Sequence, residues 1–210
     1  MLCKICKTQT NKTTTLSNGK IFHHCDHCGF SFLDDQFHVD QEAEKARYDQ
    51  HENSLEDKGY VKIFEDFIAS SVTPFVKSPA QILDYGSGPQ PVLAELLKNK
   101  GFEVDIYDPF YAPNKPSKQY DLITSTEVFE HFNNPVAEIE KVVSHLKPQA
   151  ILAIMTRFSP SLEDFKSWFY KDDSTHVSFF DLKTFSYLEK AYNFRTIHTD
   201  QFNTICLQLN

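Results

Sequence analysis

The feature that most constrains this chain is a short apolar run that ends on a carboxylate, an aromatic and two closely spaced glycines. Ile82-Leu83-Asp84-Tyr85 leads directly into Gly86-Ser87-Gly88-Pro89. A short aliphatic run bounded by turn residues reads as a buried strand. The next residues, 91–97, have helical spacing, and Pro91 suits a first-turn position. The alternation then repeats. Residues 102–107, 120–125 and 151–155 are strand candidates, and 135–146 reads as a helix between the last two. Strands alternating with helices imply parallel strands joined by helical crossovers, an α/β fold.

The expected architecture is therefore a Rossmann-like doubly wound sheet, which binds ligands outside the carboxyl ends of its strands. The glycine spacing discriminates between ligands. A dinucleotide fingerprint needs a third glycine so that helix and strand pack closely, and this chain has Gly86, Gly88 and then Pro91. Asp84, just before the loop, would sit badly beside a pyrophosphate. It suits a ligand carrying an ammonium and a sulfonium, bound directly or through water. Asp108 follows the second strand about 20 residues on, where a carboxylate accepts hydrogen bonds from both ribose hydroxyls. S-adenosylmethionine fits these groups better than NAD.

At this point a resemblance enters. Ile82-Leu83-Asp84-Tyr85-Gly86-Ser87-Gly88 resembles the first motif of class I S-adenosylmethionine-dependent methyltransferases. Thr124-Ser125-Thr126-Glu127-Val128-Phe129-Glu130-His131-Phe132 is similar to the "EVxEH" segment of ubiquinone-type methyltransferases. Leu146-Lys147-Pro148-Gln149-Ala150 is similar to their "LKPGG" turn, with both glycines replaced. Tyr107-Asp108-Pro109-Phe110 and Asp173-Ser174-Thr175-His176-Val177 extend the likeness to zinc-ribbon methyltransferases of bacteria. The resemblance implies that Gly86 and Gly88 approach the methionine part of the cofactor and Asp108 its ribose. Ser125 and Thr126 would lie beside the adenine or sulfonium end. Tyr48 and His51 would fold over the cofactor from the N-terminal side. Each has a plainer alternative: Asp108 as a turn cap, Ser125 and Thr126 as strand-end residues, Tyr48 and His51 on a solvated helix face.

Methyl transfer from a sulfonium is an in-line displacement, so the enzyme must orient the acceptor and arrange removal of its proton. His131 and His176 are the catalytic candidates, with satisfied structural histidines as the alternative. Asp173 either orients His176 or caps a helix. His176 lies in the segment 168–180, after the last identified strand, and this stretch is rich in aromatics, including Trp168 and Tyr170. These either fill a core or line an apolar substrate pocket.

The front of the chain carries a second pattern. Cys3, Cys6, Cys25 and Cys28, four of five cysteines, form two C-x2-C pairs at a spacing that reads as a structural zinc ribbon. Ser17-Asn18-Gly19-Lys20 supplies a hairpin turn between the pairs. A closed four-thiolate site leaves no open position for chemistry. Cys206, in an apolar strand-like stretch, reads as core. The expected organisation is a zinc ribbon at 1–33, a linker with helices at 34–78, and a methyltransferase domain at 79–210. Within the linker, Tyr60, Ile63, Phe64, Phe67 and Ile68 fall on one helical stripe.

The 210 residues carry a formal net charge of -8. That acidity argues against extended contact with nucleic acid, whose binders neutralise phosphates with basic side chains. The favoured partner is a small-molecule acceptor, with O-methylation as the first expectation. An RNA or protein substrate held by the ribbon, or a non-catalytic cofactor-binding module, is the alternative. The longest purely apolar run, 150–155, is too short to span a bilayer, and the N-terminus lacks the apolar core of a signal peptide. The expected setting is the cytoplasm, without membrane association; oligomeric state is left open.

Overall fold

The computed structural model describes residues 1–50 and 54–210. The N-terminal part folds into three short antiparallel strands, β1 (Lys12–Thr15), β2 (Ile21–His24) and β3 (Ser31–Leu33). The turn between β1 and β2 places Gly19 at φ +83°, a left-handed conformation that costs an L side chain but not glycine. An exposed helix, α1 (Gln41–Tyr48), follows, and then α2 (Lys58–Ser71), whose first turn is capped by the Asp57 carboxylate. Phe64, Phe67 and Ile68 of the α2 stripe are buried as the spacing requires. Ile63 is 53% exposed, because the stripe facing the sheet is narrower than the sequence pattern suggested.

The central sheet comes next: β4 (Gln81–Tyr85), α3 (Val92–Asn99), β5 (Glu103–Tyr107), β6 (Tyr120–Thr126), α4 (Pro135–Ser144) and β7 (Leu146–Met155). After a short helix, α5 (Leu162–Phe165), and a two-residue strand, β8 (Ser178–Phe179), the chain closes with α6 (Leu182–Tyr192), β9 (Phe194–Thr199) and β10 (Thr204–Leu209). The six strands lie in the order β5-β4-β6-β7-β10-β9. The first four are mutually parallel, and β10 and β9 add antiparallel partners at the far edge.

Burial explains why the strands are so uniformly apolar. Successive side chains point to opposite faces, and both faces are covered. Ile82, Leu122, Ile151, Ala153 and Cys206 pack with α2 and α3, while Leu83, Ile123, Leu152, Ile154 and Leu207 pack with α4 and α6. Cys206 is thus a core residue. The helix expected to reach residue 146 stops at Ser144, and the five residues read as a turn are the first half of β7. Gln149 there takes φ +64°, and the β6–β7 register shifts between Tyr120 and Leu122. The turn that glycines would make has become a bulge within a continuous strand.

The sheet reverses its winding at β4: the chain crosses to β5 on one side, then returns to place β6 on the other. That switch point opens a crevice at the carboxyl ends of β4, β5 and β6.

Candidate active site

A cavity of about 430 Å³ occupies that crevice, within the range of small-ligand sites. Its floor is the loop after β4. Gly86 at φ +83° and Gly88 at φ +66° bend the chain there. A Cβ on Gly86 would lie 2.2 Å from Val128 Cγ2, whereas the space beside Gly88 is open. The N–H groups of Gly86 and Ser87 donate to the Tyr107 carbonyl at 2.7 and 3.2 Å. Ser87 lines the cavity, and its buried hydroxyl has no protein partner among the described residues.

Asp84 and Asp108 face the same space. Asp84 is buried and accepts from the Thr124 hydroxyl at 2.9 Å. Burial, reinforced by the Asp108 charge and opposed by the Thr124 hydrogen bond, pushes its carboxyl up to about 7. Asp108 is both cap and cavity wall. One oxygen accepts from Gly88 N at 3.0 Å and the other from Phe110 N and Tyr111 N at 2.8 and 3.0 Å. A carboxylate has about four acceptor positions, so one remains for a ligand. Thr126 lines the cavity; Ser125, fully buried, does not.

The roof comes from α1 and α2. Tyr48 hydrogen-bonds Glu44 at 2.7 Å and sets its ring edge-on to His131, with centroids 5.1 Å apart. Tyr60 and Phe64 contribute from α2. His51 lies outside the described residues. Arg47 holds α1 down through Asp173, with Nη2 at 2.8 Å from the carboxylate. Burial alone would raise Asp173, yet the Thr175 N–H and hydroxyl, the neighbouring His176 and Arg47 together hold it well below the usual carboxylate range. Asp173 therefore latches the roof and caps its own turn.

His131 and His176 meet at the wall, with ring centroids 4.8 Å apart. Nδ1 of His176 faces the Tyr170 carbonyl at 2.6 Å, and Nδ1 of His131 the Thr175 carbonyl at 3.0 Å. A carbonyl only accepts, so both rings carry their proton on Nδ1. Burial, together with the charge of His131, pushes His176 down to about 3, so it is neutral near pH 7. Behind them stand two carboxylates of the Glu127-Val128-Phe129-Glu130-His131 motif, to which the sequence alone assigns no role. Glu127 lines the cavity, and Glu130 is fully buried below it. Burial and the Glu130 charge raise Glu127 to about 8; burial also raises Glu130. The Tyr170 hydroxyl donates to both, and Thr156 donates to Glu130 at 2.8 Å. The signal available in the sequence was the spacing Glu127-x-x-Glu130-His131 directly after a strand.

Trp168 and Tyr170 do not line the cavity. Trp168 packs on Phe165 and Phe179, and Tyr170 turns its hydroxyl to the two glutamates. Trp168 and Tyr170 pack inward because β8, which follows them, pairs with β3 and needs a packed layer beneath, while Phe169 between them is exposed.

Among the described residues, the cavity wall includes Glu44, Asp84, Asp108, Glu127, Glu138 and Asp173, and no lysine or arginine. Such a wall repels a pyrophosphate and favours a ligand with sulfonium and ammonium charges. With the open glycine loop and the orphaned Ser87 hydroxyl, these residues fit S-adenosylmethionine.

At the N-terminus, the sulfurs of Cys3, Cys6, Cys25 and Cys28 lie within 4.8 Å of one another, the closest pairs at 3.5 and 3.4 Å. Four thiolates about 2.3 Å from one zinc stand roughly 3.8 Å apart, so the donor set fits that ion. His23 pairs with Asp34, and His24 with Ser31 and Thr14, leaving the four sulfurs as the donor set.

A family model described as a methyltransferase domain matches residues 60–199, the greater part of the chain. The chain belongs to this methyltransferase family, and its central sheet has the class I, Rossmann-like fold. No curated protein sequence matches it significantly. Among solved structures it resembles 1,6-didemethyltoxoflavin-N1-methyltransferase from Burkholderia thailandensis, with bound 1,6-didemethyltoxoflavin and S-adenosylhomocysteine. That match has 11% identity and a TM-score of 0.52, covering 95% of this chain and 100% of the other. An O-methyltransferase family protein from the same organism gives 12% identity and a TM-score of 0.53 over 83% of this chain. The chain spans 62% of that protein's length and 52% of the length of a coclaurine N-methyltransferase. At these identities the likeness shows the fold.

Proposed function

We propose that the chain transfers a methyl group from S-adenosylmethionine to a small-molecule acceptor, with a hydroxyl oxygen as the acceptor atom. The carboxylate-lined, lysine- and arginine-free wall of one 430 Å³ cavity carries this reading. Gly86, Gly88, Asp84 and Asp108 would hold the cofactor, with Thr126 beside them and Tyr48 above. When bound, S-adenosylmethionine supplies an electrophilic methyl on a sulfonium. His131 and His176 orient the acceptor, and the ionised form of Glu127 takes its proton. The roof made by α1 and α2 excludes water and suits a small acceptor.

We assign one structural zinc to the four cysteines and a reducing cytoplasmic setting to the chain. Residues 1–33 form the ribbon, 34–78 the linking helices and 79–210 the catalytic domain. The first test is calorimetric titration with S-adenosylhomocysteine, with NAD as control. Binding of the former alone supports the reading, and tighter binding of NAD overturns it. Labelled methyl transfer into metabolite fractions supports a small acceptor; transfer only into RNA or protein moves the acceptor to a macromolecule.

A further inference from the structure

Glu130, His131 and His176 bring one carboxylate and two imidazoles together at the cavity wall, and from this geometry we infer a divalent-cation site distinct from the cysteine cluster. Their ligand atoms lie within 4.8 Å of one another. Nε2 of His131 is 4.0 Å from Glu130 Oε1. About 1 Å of side-chain adjustment brings three such atoms to the spacing of ligands around one ion.

Three features of the surroundings belong to a metal site. First, each histidine spends Nδ1–H on a backbone carbonyl, Thr175 for His131 and Tyr170 for His176. That arrangement fixes the tautomer with Nε2 as the ligating nitrogen, the usual second hydrogen bond of a metal-bound imidazole. Second, Glu130 is fully buried, and Tyr170 and Thr156 hold its two oxygens in place. Among the described residues, no lysine or arginine forms an ion pair with Glu127 or Glu130; the Arg157 charge acts on Glu127 without such a pair, and the two adjacent carboxylates share one tyrosine hydroxyl. Third, His131, His176 and Glu127 all border the cavity, so an ion bound there keeps open positions toward the acceptor. Two imidazoles and one carboxylate with open positions suit manganese(II), iron(II) or zinc.

The site's role rests on the O-methylation reading, while the binding itself does not. An ion at this wall draws an acceptor hydroxyl and lowers its pKa. The acceptor oxygen then forms the new O–C bond as the C–S bond breaks. The electron pair stays on sulfur, and the hydroxyl proton goes to Glu127.

The test uses the full chain and manganese(II) alone, because thiolates of the ribbon compete poorly for that ion. Electron paramagnetic resonance follows the loss of free manganese signal, and calorimetry gives stoichiometry. The expected result is one manganese per chain. Affinity should fall at least about tenfold in Glu130→Gln, His131→Gln and His176→Gln alike. Circular dichroism and S-adenosylhomocysteine binding report whether each variant is folded. Absence of manganese binding in wild-type protein that still binds S-adenosylhomocysteine overturns the site and leaves the methyltransferase reading intact. Manganese binding unchanged in folded His131→Gln and His176→Gln overturns it equally. Manganese bound with the expected variant losses, in a chain that fails to bind S-adenosylhomocysteine, supports the site and sinks the cofactor assignment.

Discussion

At Gly86 the lack of a Cβ lets the loop after β4 take its shape. The position combines φ +83° with a Cβ direction 2.2 Å from Val128. Left-handed backbone costs a non-glycine residue about 1–2 kcal/mol, and overpacking adds about 1–3. Gly86→Ala should lower the melting temperature by roughly 5–10 °C, and Val128→Ala in the same chain should recover part of the loss. Equal melting temperatures for wild type and Gly86→Ala would refute the packing account. Asp84 makes a different statement. Its ordinary value is 3.8, and in the native chain burial raises it to about 7. Between those values the native state binds more protons than the unfolded state, so this group makes stability fall as pH rises. Asp84→Asn should therefore raise the apo-protein's stability at pH 8, by on the order of 4 kcal/mol, and change it little near pH 4. Thermal melts at the two pH values decide this. The same substitution should weaken S-adenosylhomocysteine binding, as should Asp108→Ala by calorimetry, the latter at least about tenfold because it removes the last acceptor position and the cap of the turn.

Among the elements, α1 is the least tied to the rest. None of its residues is buried, so it stays in place through contacts at the cavity mouth. Arg47 reaches Asp173, Tyr48 meets Phe110 and His131, and the neighbouring Asp49 accepts from Tyr111 at 2.6 Å. A half-exposed ion pair contributes only about 0.2–1 kcal/mol. Arg47→Ala should thus leave the melting temperature nearly unchanged but speed hydrogen exchange across residues 41–48 and weaken ligand binding two- to fivefold. Protection of α1 unchanged in that variant would show that the aromatic contacts alone hold the roof. The strands behave oppositely. Their alternation between two covered faces should make β4, β6 and β7 the slowest-exchanging part of the chain in a hydrogen-exchange measurement.

For the whole molecule, the N-terminal strands and the central sheet share one structure. β3 pairs with β8, which joins strands from residues 31 and 179, and Gly29 approaches the Asp181 carboxylate that caps α6. Cys3, Cys25, Cys28 and Phe30 sit in the same apolar cluster as Leu83, Ile123 and Leu152 of the central sheet. Removal by a chelator of the zinc proposed for the four cysteines should consequently lower a single melting transition of the whole chain. Two transitions, with the upper one unmoved by chelation, would mean that the ribbon is an independent unit. No helix among the described residues is long and apolar enough to cross a membrane.

Local periodicity carried the strand and helix pattern from residue 60 to 155, the glycine loop, the carboxylate at the end of β5 and the paired cysteines, because each depends on neighbours along the chain. It misjudged Ile63 and the start of β7, where the width of a packing face and a bulge are set by partners the local pattern does not contain. The site divided in the same way. Gly86, Gly88, Asp84 and Asp108 announce themselves through a strand–turn–helix unit, which is local chemistry. Glu127 and Glu130 acquire their meaning only from the fold. It buries them, sets Tyr170 between them from forty residues away, and turns His176 to face His131. Burial and convergence of distant side chains create raised carboxylates and fixed tautomers, and those are properties of tertiary structure.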